Sequence, residues 1–229
     1  MLKVSFIIPA HNNQKTIERC FKSIFEQSFD NYEIIVVNDG SIDGTGEILE
    51  KYKNKIKIIN QENGGAPAAR NKGFEHSCGE YVLFCDADII LKRNALKTMV
   101  YMLDNHPQAS YAYSSFRYGW KKFQLNKFDP QILKKINYIS TNSLIRRQDF
   151  PGWDESLSKF QDWDLWLTML KNGHIGVWIP SVLFSVQTKD GKISSWLPRF
   201  VYKIPWLKNK NMQKYLEAKK IIKLKHALD

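Results

Sequence analysis

The chain has 229 residues, 43% apolar and 25% charged, and its 34 Lys/Arg against 23 Asp/Glu give a net charge of +11. That is an ordinary globular composition, which excludes a chain disordered throughout. Residues 196–229 hold nine Lys/Arg and two acids, a net +7, so residues 1–195 carry only +4 and a whole-surface polyanion binder is excluded as well.

In chain order, residues 4–8 (Val-Ser-Phe-Ile-Ile) predict a buried strand that stops at Pro9. Residues 14–27 set Ile17, Cys20, Phe21, Ile24 and Phe25 at helical spacing. Strands follow at 33–37, 56–59 and 81–85, with helices at 43–53, 66–76 and 92–104. Pro67 suits the first turn of the helix it opens. Strands without polar alternation, each followed by a helix, predict a parallel sheet covered on both faces, which is a doubly wound α/β start. Beyond it, 110–114 reads as a strand, 116–137 as an aromatic and basic insertion, and 138–145 as a return to the core. Residues 160–171 form a helix with Trp163, Trp166, Leu167 and Leu170 on one side, and 175–179 a late strand. The expected division is a domain over 1–195, with halves 1–105 and 106–195, and a tail over 196–229.

Cys20, Cys78 and Cys85 are an odd set without C-x-x-C spacing, so neither a disulfide framework nor a zinc site is expected. Met1-Leu2-Lys3-Val4 leads into the first strand rather than a signal peptide, and no apolar run reaches the ~18 residues of a membrane span. The expected location is the cytoplasm.

Ligands of open α/β sheets bind beyond the carboxyl ends of the strands. Three polar clusters fall there: Pro9-Ala10-His11-Asn12, Asn38-Asp39-Gly40-Ser41-Ile42-Asp43-Gly44-Thr45, and Asp86-Ala87-Asp88. Two carboxylates spaced as in Asp86-x-Asp88 repel one another and are tolerable beside a hard cation such as Mg²⁺ or Mn²⁺; a helix N-cap with an acidic first turn is the alternative. Asp39 either belongs to a turn or accepts from a nucleobase N–H. Arg70 either makes a surface ion pair or pairs with a diphosphate. Gly64-Gly65 through Asn71 is neither a P-loop nor G-x-G-x-x-G, which argues against kinase-type NTPases and dehydrogenases.

Taken in order, residues 6–12, Val36 to Thr45, Asn63-Gly64-Gly65, Ala69-Arg70-Asn71-x-Gly73, Asp86-x-Asp88, Asn142 to Arg147 and Gln161-Asp162-Trp163-Asp164-Leu165-Trp166 closely resemble the family 2 glycosyltransferases. The resemblance covers residues 3–185. It implies a GT-A fold, a nucleotide-sugar donor with UDP favoured, and transfer of one sugar with inversion. It implies that Pro9, Ala10 and Asn12 lie with the nucleoside, that Asp39 reads the base, and that Arg70 lies near the nucleotide. It further implies that Asp86 approaches the ribose or the metal, Asp88 holds a divalent Mn or Mg ion, and Asp162 is the catalytic base. Asp164 is a second candidate base, and an N-cap role is the alternative for Asp162. The chain departs from the family at Gln161, where Glu is usual, and at Phe184 to Thr188, where many relatives carry a histidine; a third protein ligand to the metal is therefore not assigned. The Q-x-x-R-W signature of processive synthases is absent, which favours single addition.

The interleaved aromatics and cations of 111–128 suit a saccharide acceptor, free or lipid-linked, or else a packed structural loop. Residues 207–228 read as a basic amphipathic helix, with Trp196, Phe200, Tyr202 and Trp206 before it. That composition suits an anionic membrane surface, which would place the protein at the inner face of the cytoplasmic membrane, or a helix packed on the domain. Two other classes fit the residues less well. A nucleic-acid-binding module conflicts with the acids clustered in the cleft. A sugar nucleotidyltransferase would carry a glycine-rich loop after the first strand, where Pro9-Ala10-His11-Asn12 stands.

Overall fold

The computed structural model describes residues 2–187 and 210–228. In chain order the elements are β1 (Val4–Ala10), α1 (Ile17–Phe25), β2 (Tyr32–Asp39), α2 (Thr45–Lys51), β3 (Lys57–Gln61), α3 (Gly65–Glu75), β4 (Tyr81–Phe84), β5 (Ile89–Leu91), α4 (Ala95–Asp104), β6 (Ala109–Tyr118), β7 (Lys121–Phe123), α5 (Pro130–Lys135), β8 (Leu144–Arg146), α6 (Gln161–Lys171), β9 (Ile175–Val186) and α7 (Lys210–Lys225). One sheet runs β3-β2-β1-β4-β8-β6-β9-β5, with β7 paired to β6. The half β3-β2-β1-β4 is wholly parallel, as the uninterrupted apolar strands predict. β8 then pairs antiparallel with both β4 and β6, so the second half is mixed. The α/β, GT-A-like expectation stands.

Alternation along β1 splits the interior in two. Val4, Phe6, Ile8 and Ala10 face the core built with α1, α2 and α4. Ile7 faces the other, which is filled by Tyr111, Tyr113, Trp163, Trp166 and Ile222 from β6, α6 and α7. α3 lies flat on β1 and β2 because Gly73 has no side chain: a Cβ there would meet Ile7 Cγ2 at 2.4 Å.

Several sequence expectations are corrected. β1 continues through Pro9 to Ala10, because β4 leaves β1 after Ile7 and only β2 pairs beyond. β5 precedes the fourth helix and escaped notice because it has three residues. The stretch 116–137 is no insertion. It makes the β6–β7 hairpin and α5, whose Leu133 is buried and whose carbonyl accepts the Trp163 indole N–H at 2.7 Å. Tyr111 and Tyr113 are fully buried and offer no face to an acceptor.

Candidate active site

The three clusters converge where β1, β2 and β4 end. Pro9, Ala10 and His11 from β1, Asp39 from β2, Ala66 and Arg70 from α3, and the Asp86-Ala87-Asp88 turn line one cavity of about 240 Å³. A second cavity of about 460 Å³ is lined by the same Asp86 and Asp88, together with Phe116, Phe123, Asn137, Asn142 and Asp162. The Asp pair is thus the wall common to both cavities, and Asp162 stands only in the second. Asn12 lines neither. It lies with Asp43, Asp88 and Gln187 around a smaller space of about 170 Å³. There its side-chain oxygen accepts from Ile42 N at 3.0 Å and ties two loops together.

Asp39 is buried, and its carboxylate is held by the start of α3. Oδ1 accepts from Gly64 N (2.8 Å) and Gln61 Nε2 (2.8 Å), and Oδ2 from Gly65 N (2.9 Å). A negative charge at a helix N-terminus is favoured by unpaired N–H groups and the helix dipole. Oδ1 is thereby saturated, whereas Oδ2 has taken one donor among the described residues. Gly40 allows this closeness, since its φ is +66° and a Cβ would meet Asn63 N at 2.8 Å.

Arg70 is not a surface arginine. Its side chain is 8% exposed, Nη2 lies 2.7 Å from Asp86 Oδ1, and the guanidinium stacks on Trp153 at 4.7 Å. Nη1 reaches Gln161 Oε1 at 3.4 Å. Asn142 completes the surroundings of Asp86 by accepting its backbone N–H at 3.1 Å.

Asp162 sits in the first turn of α6; the N-cap position belongs to Phe160, which has φ +58°. The Asp162 carboxylate accepts from Trp163 N at 2.9 Å. Burial pushes its carboxyl above the ordinary 3.8, against the opposing pull of Asn137, the Trp163 amide and Arg70. Asp164 is excluded as the base, because its buried carboxylate is taken by Lys225 Nζ (2.8 Å) and His226 Nε2 (2.7 Å).

Residues 5–155 match the family model for glycosyl transferase family 2. The chain belongs to glycosyltransferase family 2. It is 32% identical over 184 residues to TuaG of Bacillus subtilis, a putative teichuronic acid biosynthesis glycosyltransferase, covering 74% of this chain and 73% of TuaG. GlyA of Streptococcus pneumoniae is 39% identical over 100 residues, 42% of this chain and 14% of GlyA, so the chain spans a minor part of that longer relative. Among solved structures, Staphylococcus aureus TarS in complex with UDP superposes with a TM-score of 0.71 at 23% identity, over 82% of this chain and 61% of that one. This likeness establishes the fold.

Some of the family member's site was hidden in its sequence. Trp153, the platform under Arg70, and Asn137, beside Asp162, lie in stretches without periodicity, and only the fold brings them in. Gln187 lines the space beside Asp88, and its backbone N–H donates to the Asp88 carbonyl at 2.8 Å. Among the described residues no three His, Cys, Asp or Glu gather as a metal cluster. The hard oxygens of Asp86 and Asp88 still fit a divalent ion that takes its remaining ligands from phosphate and water, as Mg²⁺ commonly does. One oxygen of Asp86 is already engaged by Arg70.

Trp196, Phe200, Tyr202 and Trp206 lie outside the described residues. α7 packs on the domain through fully buried Ile222, while Leu216, Ile221 and Leu224 are exposed, so its apolar residues do not share one face. Among the described residues no helix is long and apolar enough to cross a membrane.

Proposed function

We propose that the chain transfers one sugar, with inversion, from a nucleotide sugar to a saccharide or lipid-linked saccharide of a bacterial surface glycan. UDP is the favoured nucleotide. The observation that carries this reading is the Asp86-x-Asp88 wall between two cavities, with Asp162 across the second. The first cavity has the carboxylate of Asp39 and the cation of Arg70, and the second has an apolar floor at Phe116 and Phe123 beside a carboxylate. That division suits a donor on one side and an acceptor hydroxyl on the other. TuaG's described role supports the glycan class, and the UDP bound to TarS supports the nucleotide.

In this reading Asp162 takes the acceptor hydroxyl proton as the oxygen attacks the anomeric carbon. Its raised carboxyl makes it a stronger base than an exposed aspartate, and Asn137 fixes its orientation. Arg70 stays paired with Asp86 and sets that carboxylate against the donor, while Asp39 holds the nucleobase. A divalent ion at Asp88, when bound, would supply Lewis-acid stabilisation of the departing diphosphate. A thermal-shift screen of UDP-, GDP- and dTDP-sugars with Mn²⁺ tests the donor. A ligand at 100 times its Kd stabilises the fold by about 2.7 kcal/mol, and a UDP-sugar is expected to raise Tm by several degrees. A chain that responds to none of them would refute the reading.

We also propose that the outer face of α7, where Leu216, Ile221 and Leu224 stand among lysines, rests on an anionic membrane. Co-sedimentation with phosphatidylglycerol vesicles, and none with phosphatidylcholine vesicles, is expected. Equal recovery in the supernatant with both would end the proposal.

A further inference from the structure

α7 reaches the site from behind. Lys225 and His226 hold the Asp164 carboxylate, and Lys225 also lies 2.6 Å from Asp154. Nearer the start of α7, the Tyr215 ring stands edge-on to Phe160, with centroids 5.0 Å apart. Phe160 has a left-handed backbone, which a bulky residue holds only where its surroundings impose it. It is also the residue from which α6 starts, and its carbonyl accepts the Asp164 amide at 2.9 Å. Asp162 and Asp164 are two positions apart on a helix, about 200° around its axis. One therefore faces the second cavity, and the other faces α7.

We infer that α7 is a positioning element for the base: its grip on Phe160 and Asp164 fixes the first turn of α6 and so the place of Asp162 opposite Asp88. The inference rests on the reading of Asp162 as base. A helix that only added core would stabilise the domain without acting on turnover separately from donor binding. α7 instead touches both the strained residue before the turn that carries Asp162 and the charged residue just after it. Tyr215 is the cleanest probe, because its ring meets Phe160 and stands apart from the donor cavity.

The experiment uses the full chain with Tyr215→Ala and Tyr215→Phe, hydrolysis of UDP-GlcNAc with Mn²⁺, UDP affinity by calorimetry, and hydrogen exchange of the Trp163 and Asp164 amides. Tyr215→Ala is expected to lower kcat by about 10- to 10²-fold, the cost of a misplaced catalytic group. UDP affinity should be unchanged and the two amides should exchange faster. Tyr215→Phe keeps the ring that meets Phe160, so it should recover most of the kcat lost in Tyr215→Ala and slow the two amides again. Wild-type kcat in Tyr215→Ala, or a parallel loss of kcat and UDP affinity, overturns the inference. An inactive Asp162→Asn beside a fully active Tyr215→Ala overturns it alone, whereas turnover by Asp162→Asn overturns the base reading and this inference with it. If the wild-type chain hydrolyses no UDP-GlcNAc, exchange decides: slow amides in Tyr215→Ala overturn the inference and fast ones support it.

Discussion

Replacing Asp162 with asparagine is expected to cut transfer by about 10²- to 10⁴-fold and to leave UDP affinity unchanged, because general-base catalysis acts on the acceptor proton and not on the nucleotide. Asparagine keeps the shape and the contact with Trp163 N but cannot take the proton. The wild-type rate carries a matching signature. Asp162 works only when ionised, and burial raises its carboxyl above the ordinary 3.8, so kcat should fall as pH drops through a value higher than that. The stability effect has the opposite sign. A carboxyl whose folded value is raised costs stability once pH exceeds its unfolded value, since the folded chain then keeps a poorly solvated charge. Asp162→Asn should therefore raise Tm at neutral pH while it destroys activity. A lowered Tm with lost UDP binding would mean that the carboxylate is structural.

Asp88→Ala is the second large effect. It is expected to reduce transfer by at least about 10²-fold and to abolish the response of UDP binding to Mn²⁺, because in the proposed reading Asp88 is the residue that would hold the divalent ion. Asp86→Ala should behave differently. Asp86 neutralises the buried Arg70 guanidinium at 2.7 Å, so its removal strands a cation that already has one unpartnered nitrogen, Nε, among the described residues. Asp86→Ala should lower Tm as well as activity, because it also breaks the buried ion pair with Arg70. Calorimetry of UDP with and without Mn²⁺, with a melting curve for each variant, separates the two. Manganese enhancement surviving in Asp88→Ala would remove the metal assignment.

The parallel half of the fold was legible because each of its strands is a continuous apolar run followed by a helix, and the β1, β2 and β4 termini carried the polar clusters in plain view. The second half was less so. Tyr111 and Tyr113, like Phe116 and Phe123, read equally as an acceptor platform or as a packed loop, because a strand alternates its faces and the fold decides which face is core. Two of those four rings point into the second cavity and two are sealed. Arg70 and Asp86 are 16 residues apart, and their pairing exists only because α3 lies flat on β1 and β2 across Gly73. Asp164 stood in the sequence as a second candidate base behind Asp162. What separates them is the end of α7, where Lys225 and, just past the helix, His226 lie some 60 residues further along the chain.

The account stands or falls on the separation of donor binding from proton removal. The direct measurement is UDP-sugar turnover and UDP affinity, determined together for the wild-type chain and Asp162→Asn with Mn²⁺ present. The predicted result is equal UDP affinity in the two proteins with turnover lost only in the variant. Near-normal turnover by Asp162→Asn would contradict it.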